Sequence, residues 1–280
     1  MTLVSTAWLA DHLSQPDLSV IDASWYLPDM GRNAPEEYRA AHIPGAVFFD
    51  IDEISDQSSP LPHMMPDRNA LAARLGANGI ASTHQIVVYD GLGHFSAPRM
   101  WWMIRQLGHA RVAVLDGGLA KWTAEGRPLT AETSPVRPAA FTLKPALGQL
   151  VVKGDVEAAL KAGELVLDAR APGRFEGTVP EPRPGLRSGH MPGAQNLFFK
   201  DLLKPDGTMK PPAALREALS ARGWIPGAKV TASCGSGVTA AVIVLALAVL
   251  GEEAALYDGS WAEWGMPGDT AVVTGPASNS

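Results

Sequence analysis

Cys234 is the only cysteine in 280 residues, and its neighbours suit a nucleophile better than an inert core thiol. It opens the turn in KVTASCGSGVTAAVIVLALAVL, residues 229–250. Lys229–Ser233 has the β-branched character of a short buried strand, Cys234–Val238 carries the glycines of a tight turn, and Thr239 onward is an almost wholly apolar helix. A strand, turn and helix start in that order aim successive N–H groups into one concavity at the positive end of the helix dipole. The backbone of Gly235, Gly237, Val238 and Thr239 is expected to form that cradle, and a thiolate at Cys234 would be stabilised by it. Cysteine-dependent phosphatases also begin their loop at a helix start. That chemistry needs an arginine where this chain has Ala240, because amides alone do not offset a phosphate's charge. No metal set is expected: His12, His84, His94 and His109 are scattered, and no second cysteine exists. No glycine fingerprint for a dinucleotide follows the first strand, so no cofactor is expected.

The elements that position this loop come from a duplicated pattern. In the first half a helix at Ser5–Leu13 precedes VIDAS (20–24), HIPGA (42–46), a helix at Ala70–Ile80, IVVYD (86–90), an apolar helix near Met100–Leu107 and LDGGLAKW (115–122). The second half repeats the order with a helix at Asp155–Ala162, VLDAR (166–170), HMPGA (190–194), a helix at Ala214–Ile225, VTASC (230–234), the apolar helix and YDGSWAEW (257–264). Asp22 and Asp168, His42 and His190, Asp90 and Cys234, and Asp116 and Asp258 are separated by 142–148 residues. One order at one spacing marks a tandem repeat. Short apolar strands alternating with helices predict an α/β fold in each copy, a mostly parallel sheet with helices on both faces. Ligands of such sheets sit beyond the carboxyl ends of the strands, where Cys234 falls. The proline-bearing stretch Arg127–Gln149 reads as an extended linker. The expected division is residues 1–135 for the first domain, 136–150 for the linker and 151–280 for the domain with the Cys234 loop.

Composition sets outer limits. Hydrophobic residues at 46% suit buried cores, and a net charge of −6 argues against nucleic acid as a partner. The apolar run after Thr239 is short of the roughly 20 residues that span a membrane, so it reads as a core helix. A single cysteine makes no internal disulfide, which suits a reducing compartment. MTLVSTAWLADHL lacks a basic region ahead of an apolar stretch, so no leader is expected, and the cytoplasm is the expected location.

The repeat also sorts structural from chemical residues. His42 and His190 occur in both copies and read as turn-forming residues, as do the Asp-Gly pairs at Asp116 and Asp258. Where the second copy has Cys234 the first has Asp90, which cannot act as a thiol nucleophile. The first copy is therefore expected to be catalytically silent and to contribute a wall of the cleft.

The paired VIDA and HIPGA units and the CGSGVTA loop resemble the two-domain rhodanese-fold sulfurtransferases, over roughly Val4 to Pro267. Thiosulfate-using members typically carry basic residues directly after the cysteine. Gly235 and Ser236 stand there instead, which resembles the 3-mercaptopyruvate sulfurtransferases. A dianion benefits from local positive charge, whereas a neutral loop suits a substrate held by its own carboxylate elsewhere. The segment APGRFEGTVPEPRPGLRSGH carries Arg174, Arg183 and Arg187. Arg174 and Arg183 match the family's substrate-binding positions, and a guanidinium donates two parallel hydrogen bonds to a carboxylate. The competing expectation is a solvated ion pair with Glu176 or Glu181; Arg187 reads as an ordinary surface residue. Asp52 and His63 match an aspartate and a histidine that the family sets against the loop serine, here Ser236, implying an Asp52–His63–Ser236 relay. The implied reaction moves the sulfur of 3-mercaptopyruvate through a Cys234 persulfide to a thiol such as that of thioredoxin, or to cyanide, releasing pyruvate. Thiosulfate:cyanide sulfurtransfer and a non-catalytic persulfide carrier are the alternatives.

Overall fold

Runs of valine, isoleucine and leucine without polar alternation become strands buried on both faces, as parallel sheets require. The computed structural model describes residues 1–133 and 135–277. Residue 134, near the end of the expected first domain, and residues 278–280, at the end of the expected second domain, lie outside them. The chain divides into two units. The first comprises Met1–Gln57, Met65–Leu147 and Lys204–Met209; the second comprises Ser58–Met64, Gly148–Leu203 and the chain from Lys210 onward.

In the first unit the order is β1 (Leu3–Val4), α1 (Thr6–His12), β2 (Leu18–Asp22), α2 (Ala34–Ala40), β3 (Ala46–Phe48), α3 (Ile51–Ile54), α4 (Arg68–Ala77), β4 (Gln85–Tyr89), α5 (Ala97–Gln106), β5 (Val112–Leu115) and α6 (Gly118–Ala124). The strands form one parallel sheet in the order β1-β5-β4-β2-β3. One face packs Val20, Val87, Tyr89, Ala113 and Leu115 with Leu9 and Trp122 of α1 and α6. The α5 helix, with Trp101, Met103 and Ile104 buried, packs on β4 and β5. Residues 127–133 and 135–147 run without helix, and the second stretch is strapped to this unit by Ala139 N–H to Gly76 O and Lys144 N–H to Leu107 O. A Cβ on Gly76 would stand 2.4 Å from the Ala139 carbonyl, so this approach needs glycine.

The second unit holds β6 (Gln149–Val151), α7 (Lys153–Lys161), β7 (Leu165–Asp168), α8 (Pro172–Glu176), β8 (Gln195–Asn196), α9 (Pro212–Ser220), β9 (Val230–Ser233), α10 (Ala240–Val249), β10 (Ala255–Tyr257) and α11 (Ser260–Trp264). Its parallel sheet, β6-β10-β9-β7-β8, repeats the first strand for strand. Val156, Val166, Phe175, Met191, Tyr257 and Trp261 form the core on one side. The α10 helix, with Ala240–Leu247 wholly buried, packs on β9 and β10. Among the described residues no helix is long and apolar enough to cross a membrane.

The two repeated histidines do the same structural work. His42 pairs its backbone with Thr130, and His190 pairs with Val273. Each ring nitrogen Nδ1 donates to a carbonyl, of Tyr38 at 2.7 Å and Phe175 at 2.9 Å, while the ring stacks on that residue's aromatic side chain. Burial lowers the His190 pKa, keeping the ring neutral as a donor of one proton.

Candidate active site

The β9 strand ends at Ser233, so Cys234 leaves the sheet at its carboxyl edge, 2% exposed, ahead of α10. The turn is clamped from α11. Trp261 N–H donates to Cys234 O at 2.9 Å and Ala262 N–H to Gly235 O at 2.8 Å, which turns these carbonyls toward α11. The Ser260 hydroxyl donates to Tyr257 O and accepts from two loop amides, Cys234 N–H at 3.2 Å and Gly237 N–H at 3.1 Å. Gly237 was expected to offer its N–H to a ligand; that N–H is taken by Ser260, and its φ of 75° is the glycine's contribution to the turn. Among the described residues of this unit no acceptor takes the N–H of Gly235, Ser236, Val238 or Thr239.

Ser236 is buried, with its Oγ 2.8 Å from Nδ1 of His63. His63 comes from Ser58–Met64, the short segment grouped with the second unit. Among the described residues only His63 (φ 61°) and Ser260 (φ 48°) are non-glycine residues with positive φ. Both side chains touch the Cys234 loop. Such backbone costs about 1–3 kcal/mol per residue and persists where the surroundings enforce it, which is a mark of a working site. Asp52 belongs to the first unit, on α3, where its Oδ2 accepts from Trp25 Nε1 at 2.9 Å.

A buried ionic chain runs from β7 to the loop. Asp168, at the end of β7, accepts from Nε and Nη2 of Arg170 at 3.0 and 2.7 Å. Arg170 Nη1 donates to Oε1 of Glu181 at 2.7 Å, and its guanidinium lies 4.2 Å from the Trp261 ring. Burial opposes the charge on Arg170, but Asp168 and Glu181 outweigh it and raise its pKa. Glu181 next accepts from Nε and Nη2 of Arg174. Arg174 Nη2 stands 3.0 Å from where a Cβ on Gly235 would be, so its guanidinium lies against the loop. The anticipated ion pair with Glu181 thus coexists with a place at the loop, and it is buried at its Glu181 end. Arg183 is half-buried in the same segment. Arg187 was expected on the surface, but it is half-buried and donates to the carbonyls of Trp264 and Thr270, tying down the chain after α11.

The matching turn of the first unit is filled from within. Asp90 follows β4 as Cys234 follows β9. Its Oδ1 accepts from Leu92 N–H, and its Oδ2 from the N–H groups of Phe95, Ser96 and Ala97 at 2.8–2.9 Å. A carboxylate therefore sits where an anionic ligand would. Among the described residues no group of histidine, cysteine, aspartate and glutamate could hold a metal ion.

Sequence reasoning passed over Ser260 and Arg170, and it placed Glu181 only in a solvated ion pair, not in a buried chain. The repeat contained the signal for both missed residues: Ser260 aligns with Gly118 and Arg170 with Ser24, positions where the copies differ in polar chemistry.

A family model described as the rhodanese-like domain matches residues 5–125 and again 152–266. The chain is 42% identical to the 3-mercaptopyruvate sulfurtransferase of Rattus norvegicus, over 94% of this chain and 92% of that one. It is also 42% identical to the thiosulfate sulfurtransferase of Mus musculus, over 99% and 97% respectively. The crystal structure of SseA from Escherichia coli, one of the 3-mercaptopyruvate sulfotransferases, superposes with a TM-score of 0.84 at 39% identity, covering 94% of this chain and all of that one.

Proposed function

The chain belongs to the rhodanese family, carrying its domain twice, and on that premise we propose that it is a 3-mercaptopyruvate sulfurtransferase. The observation that carries this reading is the neutral loop with Arg174 laid against Gly235. The four open amides serve one anionic sulfur, while the guanidinium beside them suits a carboxylate on the same small substrate.

In this reading Cys234 attacks as the thiolate on the sulfur of 3-mercaptopyruvate, and the carbon–sulfur bond breaks with its electron pair passing to carbon. The product leaves as the enolate of pyruvate and takes up a proton. Cys234 retains the sulfur as a persulfide, held by the amides of Gly235, Ser236, Val238 and Thr239. A second thiol, with thioredoxin the proposed acceptor, or cyanide then attacks the outer sulfur, takes it, and restores the Cys234 thiolate. Arg174 and Arg183 hold the substrate's carboxylate and carbonyl. Ser236 and His63, in hydrogen-bond contact, move the proton. Asp52 is proposed to orient His63 on the family resemblance alone. The first copy is proposed to be silent, with Asp90 filling its own cradle; domains of 1–135 and 151–280, a linker of 136–150 and a cytoplasmic location complete the proposal.

Thiosulfate is the rival sulfur donor, since a thiosulfate sulfurtransferase is as similar as the mercaptopyruvate enzyme. Turnover on the two donors, with cyanide as acceptor and Cys234→Ala as control, separates them. A preference for 3-mercaptopyruvate, abolished in the control, is expected. A preference for thiosulfate keeps the nucleophile and overturns the substrate. No turnover on either, with sulfur still accepted from another protein, indicates a carrier.

A further inference from the structure

We propose that Glu181 is a positioning residue that sets which edge of Arg174 faces the substrate carboxylate; this rests on the sulfurtransferase reading above. A guanidinium has two edges that can grip a carboxylate in parallel, one through Nε and one terminal nitrogen, the other through both terminal nitrogens. Glu181 occupies the first: Oε1 accepts from Nε of Arg174 at 3.3 Å and Oε2 accepts from Nη2. Nη1 and the second hydrogen of Nη2 remain, and Nη2 is the atom nearest Gly235 of the loop. Glu181 is itself fixed. Its side chain is 2% exposed, and Oε1 also accepts from Arg170, which is locked by Asp168 and by the Trp261 ring. Trp261 in turn donates its N–H to Cys234 O. The anchor for the carboxylate and the nucleophile therefore hang from one residue of α11, and Glu181 is the link on the anchor side. It touches no substrate in this account and acts through Arg174.

Glu181→Gln keeps an acceptor for Arg170 but removes the charge that holds Arg174. Its KM for 3-mercaptopyruvate is expected to rise about tenfold or more while kcat stays within about threefold. Glu181→Asp, which keeps the charge but is one methylene shorter, is expected to fall between it and the native enzyme. Alkylation of Cys234 supplies a second reading independent of turnover, because iodoacetate and iodoacetamide differ in a carboxylate. The iodoacetate-to-iodoacetamide rate ratio is expected to fall in Glu181→Gln toward that of Arg174→Ala, with the iodoacetamide rate unchanged. An unchanged or lower KM together with an unchanged ratio overturns the proposal, as does an equal loss of both alkylation rates, which marks Glu181 as a purely structural support of the loop. If the native protein fails to turn over 3-mercaptopyruvate, the functional reading falls, and the alkylation ratio still decides the role of Glu181.

Discussion

Ser260 does three things with one hydroxyl: it donates to Tyr257 O and accepts from the amides of Cys234 and Gly237. Ser260→Ala leaves two buried N–H groups without that acceptor, so a loss of about 2–4 kcal/mol in urea unfolding is expected, at about 1–2 kcal/mol for each amide. Turnover should fall with it, because the Cys234 loop loses its brace; native stability in this variant would contradict the bracing role. Ser236 is a different case, since it supports no loop amide and meets His63 at 2.8 Å. Ser236→Ala is expected to lower kcat by about a hundredfold, the lower range for acid–base groups, with KM little changed. A variant with the native kcat would exclude the serine–histidine pair from proton movement. At this scale Cys234 was legible from its loop and its solitude in the sequence. Ser260 was hidden because a serine after Asp-Gly reads as turn chemistry, and only a φ of 48° shows what it is held to do.

The decisive element is the strand–turn–helix unit, and the two copies use it in opposite ways. In the second, the turn between β9 and α10 that begins at Cys234 leaves amides without an acceptor among the described residues; in the first, β4 and α5 close the same turn on Asp90. Asp90→Ala removes the acceptor of four amides, three of them buried, so a loss of at least about 3 kcal/mol is expected. Added formate should restore part of the melting temperature, as a small carboxylate refilling the turn, whereas uncharged formamide should not. Equal responses to the two would show that the turn has no preference for an anion. Strands and helices at this scale follow from apolar runs and their punctuation, and α10 starts at Ala240, one residue beyond its expected start at Thr239. The destination of Arg187 did not follow. Its partners, the carbonyls of Trp264 and Thr270, lie some 80 residues away and carry no sequence signature.

The whole molecule is one design written twice, with the same strand order in each sheet and different groups at matching corners. Asp168 ends β7 with Arg170 as its counter-ion, whereas Asp22 ends β2 with Ser24 two residues on and no arginine there. Burial pushes the Asp22 pKa up to about 6, against the hydrogen bonds from Ser24 that pull it down. The folded state then holds this proton more tightly than the unfolded chain, whose aspartates titrate near about 4. Stability from this group is present below the unfolded pKa and lost as pH rises from about 4 through about 6. Relative to Asp22→Asn, the native protein should therefore lose on the order of 3 kcal/mol across that window, read by urea unfolding at each pH. Parallel profiles for the two proteins would contradict it. The repeat made this comparison possible from the sequence alone, but not its outcome, since burial decides whether an aspartate is costly.

Transfer of sulfur from 3-mercaptopyruvate to Cys234 can be read in one experiment. The native protein is mixed with 3-mercaptopyruvate and no acceptor, pyruvate is assayed, and the peptide containing Cys234 is weighed. One pyruvate released per chain and one added sulfur atom on that peptide, both absent in Cys234→Ala, is the expected result. Pyruvate without the added sulfur, or sulfur gained with Cys234 replaced, would contradict the account.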